Sequence, residues 1–205
     1  MSVTDKFEKI QAFYKQLMPT ITPESWLIIQ SYISVRVVKK RNFLIREGAV
    51  CNHVSYINSG LLRMYYLKND KEKTMGFCTD NCYISEYQSF LTRKPAQLFI
   101  QAIEDTEVVE TNYDDLQKLY KEVPEANFLG RMISEQLYIE MSDHSISEIN
   151  ETLEQRYNKL IEEQPWLLQR VPQYMIASYL GITPEALSRV KNRISRKSKN
   201  LVPVY

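Results

Sequence analysis

The residues best suited to chemistry lie near the C-terminal end, where Gln173–Ile194 reads QYMIASYLGITPEALSRVKNRI. The spacing predicts a first helix over about Pro172–Leu180, with Ile176 and Leu180 pointing inward. Ala177 is small enough there for a second helix to cross closely. Gly181 supplies the turn, because a residue without Cβ tolerates positive φ. Ile182 plugs the space between the helices. Thr183 is an N-cap and Pro184 a first helical residue. On the second helix Leu187, Val190 and Ile194 fall on the inner face. Glu185, Ser188, Arg189, Asn192 and Arg193 are left outside.

This arrangement predicts a helix-turn-helix whose second helix suits a DNA major groove. Arginine can bond two acceptors of guanine, glutamate can accept from cytosine N4, and serine can bond a phosphate or a base. Arg196, Lys197 and Lys199 follow and can neutralise phosphates. The candidate DNA-binding set is Gln173, Thr183, Glu185, Ser188, Arg189, Asn192, Arg193 and Lys197. The plain alternative is a helical hairpin with a solvated face.

Charge distribution agrees with the first reading. The 205 residues hold 26 lysines and arginines against 25 acids, a net charge of +1. Seven of those basic residues, but a single acid, Glu185, fall between Pro165 and Tyr205. The remainder is therefore acidic. A basic end on an acidic body is the asymmetry of a nucleic-acid-binding module, or of a solvated lysine-rich helix. An acid aimed at DNA costs affinity unless it reads a base or orients an arginine.

Other chemistry finds little support. Three cysteines (Cys51, Cys78, Cys82) make no disulfide framework and fall short of the four that an iron–sulfur cluster usually takes. Cys78 and Cys82 are read as core or half-buried thiols, with a redox switch between them as the sharper alternative. The two histidines, His53 and His144, are far apart in sequence, which disfavours a haem or zinc site. No nucleophile elbow, P-loop or dinucleotide fingerprint occurs, so an enzyme is not expected. Neither a signal sequence nor an apolar run long enough for a membrane span is present, and a cytoplasmic location is expected.

The elements that position these residues follow from changes of period. Phe7, Ile10, Phe13, Tyr14 and Leu17 recur at helical spacing, and Thr22-Pro23-Glu24 opens a second helix burying Trp26, Ile29 and Ile33. Short β-prone runs follow at Ser34–Val38, Asn42–Ile45, Val54–Ile57, Leu61–Leu67, Thr74–Phe77, Leu98–Ala102 and Glu107–Thr111. Turn residues such as Glu47-Gly48, Asn58-Ser59-Gly60 and Asn69-Asp70 separate them, and Lys68–Lys73 reads as a polar hairpin connection. Many short strands suggest a sandwich or barrel. A short helix near Tyr113–Val123 closes that domain. From Pro124 a long helix carries Leu129, Met132, Ile133, Leu137 and Met141 on one face with Phe128 beside them. That stripe packs within its own chain or pairs with a second copy, and two-fold DNA recognition favours the pair. A further helix spans about Ile149–Glu163.

The last 45 or so residues resemble the DNA-binding domain of the Crp/Fnr family, regulators similar to the cyclic-AMP receptor protein. LLQRVPQYMIASYLGITPEALSRVKNRI resembles in particular the Bacteroidetes-type branch. NFLIREG at Asn42–Gly48 and VSYINSGLLRMYY at Val54–Tyr66 look like that family's β-roll. The resemblance implies an α+β fold: a cyclic-nucleotide-binding-like β-roll (a double-stranded β-helix or jelly roll) with flanking helices over residues 1–123. A long dimerisation helix over 124–145 and a helix-turn-helix, winged-helix-like domain over 146–205 complete it. The implied function is a homodimeric transcription regulator on double-stranded DNA at a palindromic site, with RNA polymerase as a further partner. The dimer interface would be Phe128, Leu129, Met132, Ile133, Leu137 and Met141. Thr183, Glu185 and Arg189 fall where the family's recognition helix contacts DNA. Pro184 replaces the arginine often found beside the glutamate, so the usual half-site does not carry over. The chain ends soon after, at Leu201–Tyr205, which implies a shortened or missing wing.

Family members that bind cyclic AMP hold its phosphate with a Phe-Gly-Glu-like helix opening, an arginine and a small hydroxyl residue. Here the matching run is Tyr83-Ile84-Ser85-Glu86, and Ala96 and Gln97 stand where the arginine and hydroxyl belong. Ile84, Ser85, Glu86 and Gln97 are the ligand-pocket candidates, with Arg93 and Lys94 close enough in sequence to supply charge from a shifted loop. No cofactor or metal is expected, and the effector is expected not to be cyclic AMP. The competing function is a sensor acting through a protein partner with a cyclic nucleotide as ligand.

Overall fold

The computed structural model describes residues 6–200, with side chains through residue 194. The chain opens with α1 (Glu8–Leu17) and α2 (Pro23–Ser31), the latter capped by Thr22, whose hydroxyl accepts from the Ser25 N–H at 3.1 Å. Eight strands follow: β1 (Ser34–Val38), β2 (Phe43–Ile45), β3 (His53–Ser59), β4 (Leu61–Lys68), β5 (Lys71–Thr79), β6 (Tyr83–Ile84), β7 (Phe99–Ala102) and β8 (Thr106–Asn112). A short helix, α3 (Tyr87–Thr92), separates β6 from β7. After β8 come α4 (Tyr113–Glu122), α5 (Pro124–Asn150), α6 (Leu153–Glu163), α7 (Leu167–Arg170), α8 (Gln173–Tyr179) and α9 (Pro184–Asn200).

The strands form two four-stranded sheets, ordered β1-β8-β3-β6 and β2-β7-β4-β5. All the pairings given a register are antiparallel. Alternation along each strand divides the first sheet's side chains between two cores. Tyr56 and Val109 pack with Ile10, Trp26, Ile29, Leu119, Ala126 and Leu129 from the helices. Val38, Ile57, Ile84 and Val108 pack with Leu62, Ile100 and Ala102 of the second sheet. The central strands β3 and β8 are thus buried on both faces, and their buried positions include Ser55, Asn58, Thr106, Glu110 and Thr111 beside the apolar ones.

The turns are set by local chemistry. Asn69 and Asp70 both adopt positive φ (52° and 58°), the two-residue hairpin turn whose twist matches its strands. The hairpin connection is therefore only those two residues, because β4 and β5 extend through most of the expected loop. Gly60 has φ +119°, and an added Cβ would lie 2.5 Å from Thr106 Oγ1.

The chain divides into two compact units. One comprises the chain up to Tyr66 together with Gly76–Tyr138; the other comprises Leu67–Met75 and the chain from Ile139 onward. In the second unit, Tyr157, Leu160, Leu167, Val171, Ile176, Ala177, Leu180, Leu187 and Val190 are buried. Thr152 and Gln155 form a reciprocal capping box at the start of α6, which therefore begins later than its apolar spacing suggested.

The expected stripe on α5 does not lie on one face in the way its spacing suggested. Leu129 is 2% exposed and belongs to its own chain's core. Ile133 and Leu137 line an apolar cavity of about 70 Å³ in the same unit. Met132 is half-buried, whereas Phe128 and Met141 are exposed. Apolar residues on this helix serve two directions, so spacing alone merged an inner and an outer row.

Candidate nucleic-acid interface

Helix α8 ends in a double backbone lock. The N–H of Ile182 donates to Ala177 O at 2.9 Å and that of Gly181 to Ser178 O at 3.2 Å, with Gly181 at φ +73°. This is the Schellman ending, which needs a left-handed residue at the position Gly181 occupies. Ile182 is half-buried. Thr183 then caps α9, its hydroxyl accepting from the Ala186 N–H at 3.3 Å and its carbonyl from the Leu187 N–H at 3.0 Å. Two buried side chains, Leu187 and Val190, fix the rotation of α9, and Ile194 is half-buried.

That rotation exposes Glu185, Ser188, Arg189, Asn192 and Arg193. Glu185 stands at the helix N-terminus. The Thr183 hydroxyl, the backbone N–H of Glu185 and, less strongly, the Arg189 charge hold its carboxyl below the usual range. The carboxylate is therefore charged at neutral pH, at a helix N-terminus that favours negative charge and one turn from Arg189.

Two expected contacts have partners within the chain. Arg193 donates to Glu154 Oε1 of α6 at 2.7 Å, and Gln173 accepts from Lys191 Nζ at 3.1 Å. Gln173 and Thr183 are both exposed. The position of Lys197 lies on α9, but its side chain lies outside the described residues, as do those of Arg196 and Lys199. The expectation about a wing at Leu201–Tyr205 also falls outside them.

α8 is held from two further directions inside this unit. Ser178 Oγ accepts from the Thr74 N–H at 3.0 Å and donates to Glu72 O at 2.9 Å, tying the β4–β5 hairpin tip to α8. Arg156 Nη2 donates to Leu180 O at 3.3 Å, satisfying a carbonyl at the helix end. Sequence reasoning missed both. Serine inside a helix, and an arginine 24 residues away, carry no local signal of such roles.

The ligand-pocket candidates sit where β6 leads into α3. Ile84 is buried in the core between the sheets. Ser85 Oγ donates to His53 O at 2.9 Å. Glu86 is 7% exposed, and its carboxylate accepts from the Ser89 N–H at 2.6 Å. It is thus the N-cap of α3 and fills that end of the six-residue helix with the chain's own negative charge. Arg93, in the left-handed conformation at the C-cap, donates to Cys51 O at 2.9 Å, Phe90 O at 3.1 Å and Asn52 Oδ1. Its guanidinium also lies 4.4 Å over the Tyr113 ring. Ala96 is buried and Gln97 exposed. A cyclic phosphate needs donors and a cation at this place. Here the nearest carboxylate occupies the donors, the nearby arginine serves loop carbonyls, and the residues do not fit the group.

The remaining titratable candidates are dispersed. Cys51, Cys78 and Cys82 form no disulfide. His144 stacks on Tyr179 with ring centroids 5.5 Å apart. No cluster of three His, Cys, Asp or Glu side chains among the described residues is placed to hold a metal ion.

Comparison with known proteins identifies the fold. Residues 35–123 match the family described as the cyclic nucleotide-binding domain. A putative Crp/Fnr-family transcriptional regulator from Eubacterium rectale superposes with a TM-score of 0.69, covering 94% of this chain and 91% of that one at 17% identity. The chain has the Crp/Fnr fold. FixK2 from Bradyrhizobium japonicum shares this Crp/Fnr fold, with a TM-score of 0.67 over 81% of this chain and 86% of that one at 20% identity. In sequence, the anaerobic regulatory protein of Bacillus subtilis is 27% identical over 99 residues, or 48% of this chain. The match spans 42% of that relative's length. No described helix is long and apolar enough to cross a membrane.

Proposed function

We propose that this chain is a sequence-specific, homodimeric DNA-binding transcription regulator of the Crp/Fnr type. The observation that carries the reading is the outward row Glu185, Ser188, Arg189 and Asn192 on a capped, core-anchored α9. Arg189 and Asn192 read base edges, Glu185 orients Arg189 or accepts from cytosine, and Ser188 bonds a phosphate or base. Lys197 and its basic neighbours neutralise phosphates. Arg193 is a stabilising partner of Glu154 first and a DNA contact second. In the same reading the chain falls in the Bacteroidetes-type branch of that family.

In this reading residues 1–123 form the sensor and 146–205 the DNA-binding domain, and the pairing helix of 124–145 continues as α5 into the start of that domain, to Asn150. The pairing face is the outer row of α5: Phe128, Met132, Ile139, Ile146 and Ile149. With Glu135 and Ser142 these positions keep strict heptad spacing, and Phe128, Ile139, Ile146 and Ile149 are exposed. Two such subunits would set two recognition helices about 34 Å apart on a palindrome. The protein works in the cytoplasm beside RNA polymerase, and its effector is not a cyclic nucleotide, because the loop between β6 and β7 is satisfied by its own side chains.

The test is selection from a random-sequence duplex library with the purified chain. Enrichment of a palindrome is the expected result. Weak binding that depends only on salt, with or without added cyclic AMP and cyclic GMP, would overturn the proposal.

A further inference from the structure

The second unit contains a polar cavity of about 400 Å³, a size typical of small-molecule sites. It is walled by three helices. Glu140, Asp143, His144 and Ser147 come from α5, Arg156, Lys159 and Glu163 from α6, and Tyr179 and Leu180 from the end of α8. The charges are sorted by element. Glu140 and Asp143 lie one turn apart on α5, whereas Arg156 and Lys159 lie one turn apart on α6. Glu163 closes the far end of α6.

Arg156 is the cation most firmly fixed in this wall. Arg156 Nε is buried and has no hydrogen-bond partner, although Nη2 of the same guanidinium is engaged by Leu180 O. An arginine N–H buried without an acceptor is costly and uncommon. Nε itself is sealed from solvent, so a carboxylate in the cavity would meet the remainder of the guanidinium that lines it, in a charge-assisted bond. Lys159, whose ammonium lies 3.7 Å from Glu151, is half-buried on the same wall and adds positive charge. A simple anion would meet three carboxylates in the same cavity. A molecule carrying both an ammonium and a carboxylate satisfies both walls.

We propose that this cavity binds a small zwitterion of the α-amino acid class. Its carboxylate lies on Arg156 and Lys159 of α6, and its ammonium on Glu140 and Asp143 of α5. The flat Tyr179–His144 stack bounds one side, with Tyr179 held by burial above the usual phenol range and therefore neutral. Because the walls are the end of α5, α6 and the end of α8, the ligand binds beside the helix-turn-helix. The inference goes beyond the DNA-binding reading and does not depend on it, since binding is measured without DNA.

The experiment is calorimetric titration of the full chain with each of the twenty proteinogenic L-amino acids, and with acetate and methylammonium as single-charge controls. The expected result is saturable binding of at least one amino acid, with neither control binding comparably. Lys159→Met and Asp143→Asn, which leave the Arg156–Leu180 contact intact, each weaken that amino acid. Arg156→Met weakens it by about tenfold or more, as expected for a lost charge-assisted bond. Circular dichroism reports whether each variant is folded, and if Arg156→Met does not fold, the other two variants decide. Absence of binding by all twenty, equal binding of acetate, or unchanged affinity in the folded variants would overturn the proposal. A failure here with a palindrome still enriched from the duplex library would leave the DNA-binding reading intact.

Discussion

Replacing Ile139 and Ile146 together by aspartate separates two assignments of the pairing face on α5. The two isoleucines are 50% and 53% exposed in the single chain. Fully burying an isoleucine side chain contributes about 1.5–3 kcal/mol, so the exposed half of each is worth about 1 kcal/mol. A symmetric pair buries four such side chains, so the substitutions remove about 4 kcal/mol, or roughly a thousandfold in dissociation constant. Carboxylates forced into the seam would add a desolvation cost of the same sign. Sedimentation equilibrium over a concentration series reads the result directly. The comparison variant is Leu129→Ala, at a residue 2% exposed within its own chain's core. That change should cost about 2–5 kcal/mol of fold stability. The folded fraction should still dimerise like the wild type. The reasoning is refuted if the double aspartate variant dimerises as tightly as the wild type. It is equally refuted if Leu129→Ala dissociates the dimer while leaving its unfolding unchanged.

Four further outcomes follow from single contacts. Arg189→Ala should lower the preference for the selected operator over random DNA by about 1–3 kcal/mol, whereas Lys197→Ala should weaken both alike and flatten the salt dependence; identical behaviour of the two in a fluorescence anisotropy salt series would contradict the assigned roles. Arg193→Ala should cost at most about 1 kcal/mol in urea unfolding, because the Glu154 ion pair it breaks is 62% exposed on the arginine side. Gly60→Ala should destabilise the chain by about 3 kcal/mol or more, since φ is +119° and the new Cβ meets Thr106 Cα at 2.6 Å; Gly48→Ala, at φ +84° with open space around it, should cost about 1–2 kcal/mol, and equal costs would sink the argument. The carboxyl of Glu185 should titrate below the ordinary glutamate range, so its stabilising contribution is complete above the unfolded-chain value and is lost as the pH falls through the lowered one; a carbon-detected NMR titration in which Thr183→Ala leaves that midpoint in place would show that the cap hydroxyl is not the main cause.

Most strands were legible because both alternation and turn chemistry marked them. β1 spans the residues its β-prone run suggested, and Asn69-Asp70 forms the turn its residue types favour. β6 was not legible: two residues, Tyr83 and Ile84, contain no period to read. α3 was expected only by resemblance, and α7, with four residues, was not expected at all. The outer row of α5 was hidden for a different reason. A helix with apolar residues facing its own core and a separate row facing outward has no single stripe. Leu129, Ile133 and Leu137 could be separated from Phe128, Ile139 and Ile146 only once the inner neighbours were known.

The two candidate sites differed in legibility because they depend on different ranges of interaction. The helix-turn-helix is specified over about twenty consecutive residues by a cap, a glycine, two core faces and the charges left over. Each is a local choice, and all agree. The loop between β6 and β7 is decided by partners far along the chain. Its sequence offers a glutamate at a helix N-terminus and an arginine seven residues later, a combination that suits an anion equally well on paper. Geometry gives the opposite answer: Glu86 turns onto Ser89 N–H, and Arg93 turns onto the carbonyls of Cys51 and Phe90. A carboxylate capping its own helix raises the free energy of any second anion there, and an arginine already bonded to three oxygens must release them to bind another. Phosphate binding at this loop would therefore require removing Glu86's capping contact as well as adding a cation at Ala96. Ala96→Arg alone should not confer affinity for cyclic AMP, and measurable binding by that single variant would show that the loop is not closed by its own side chains.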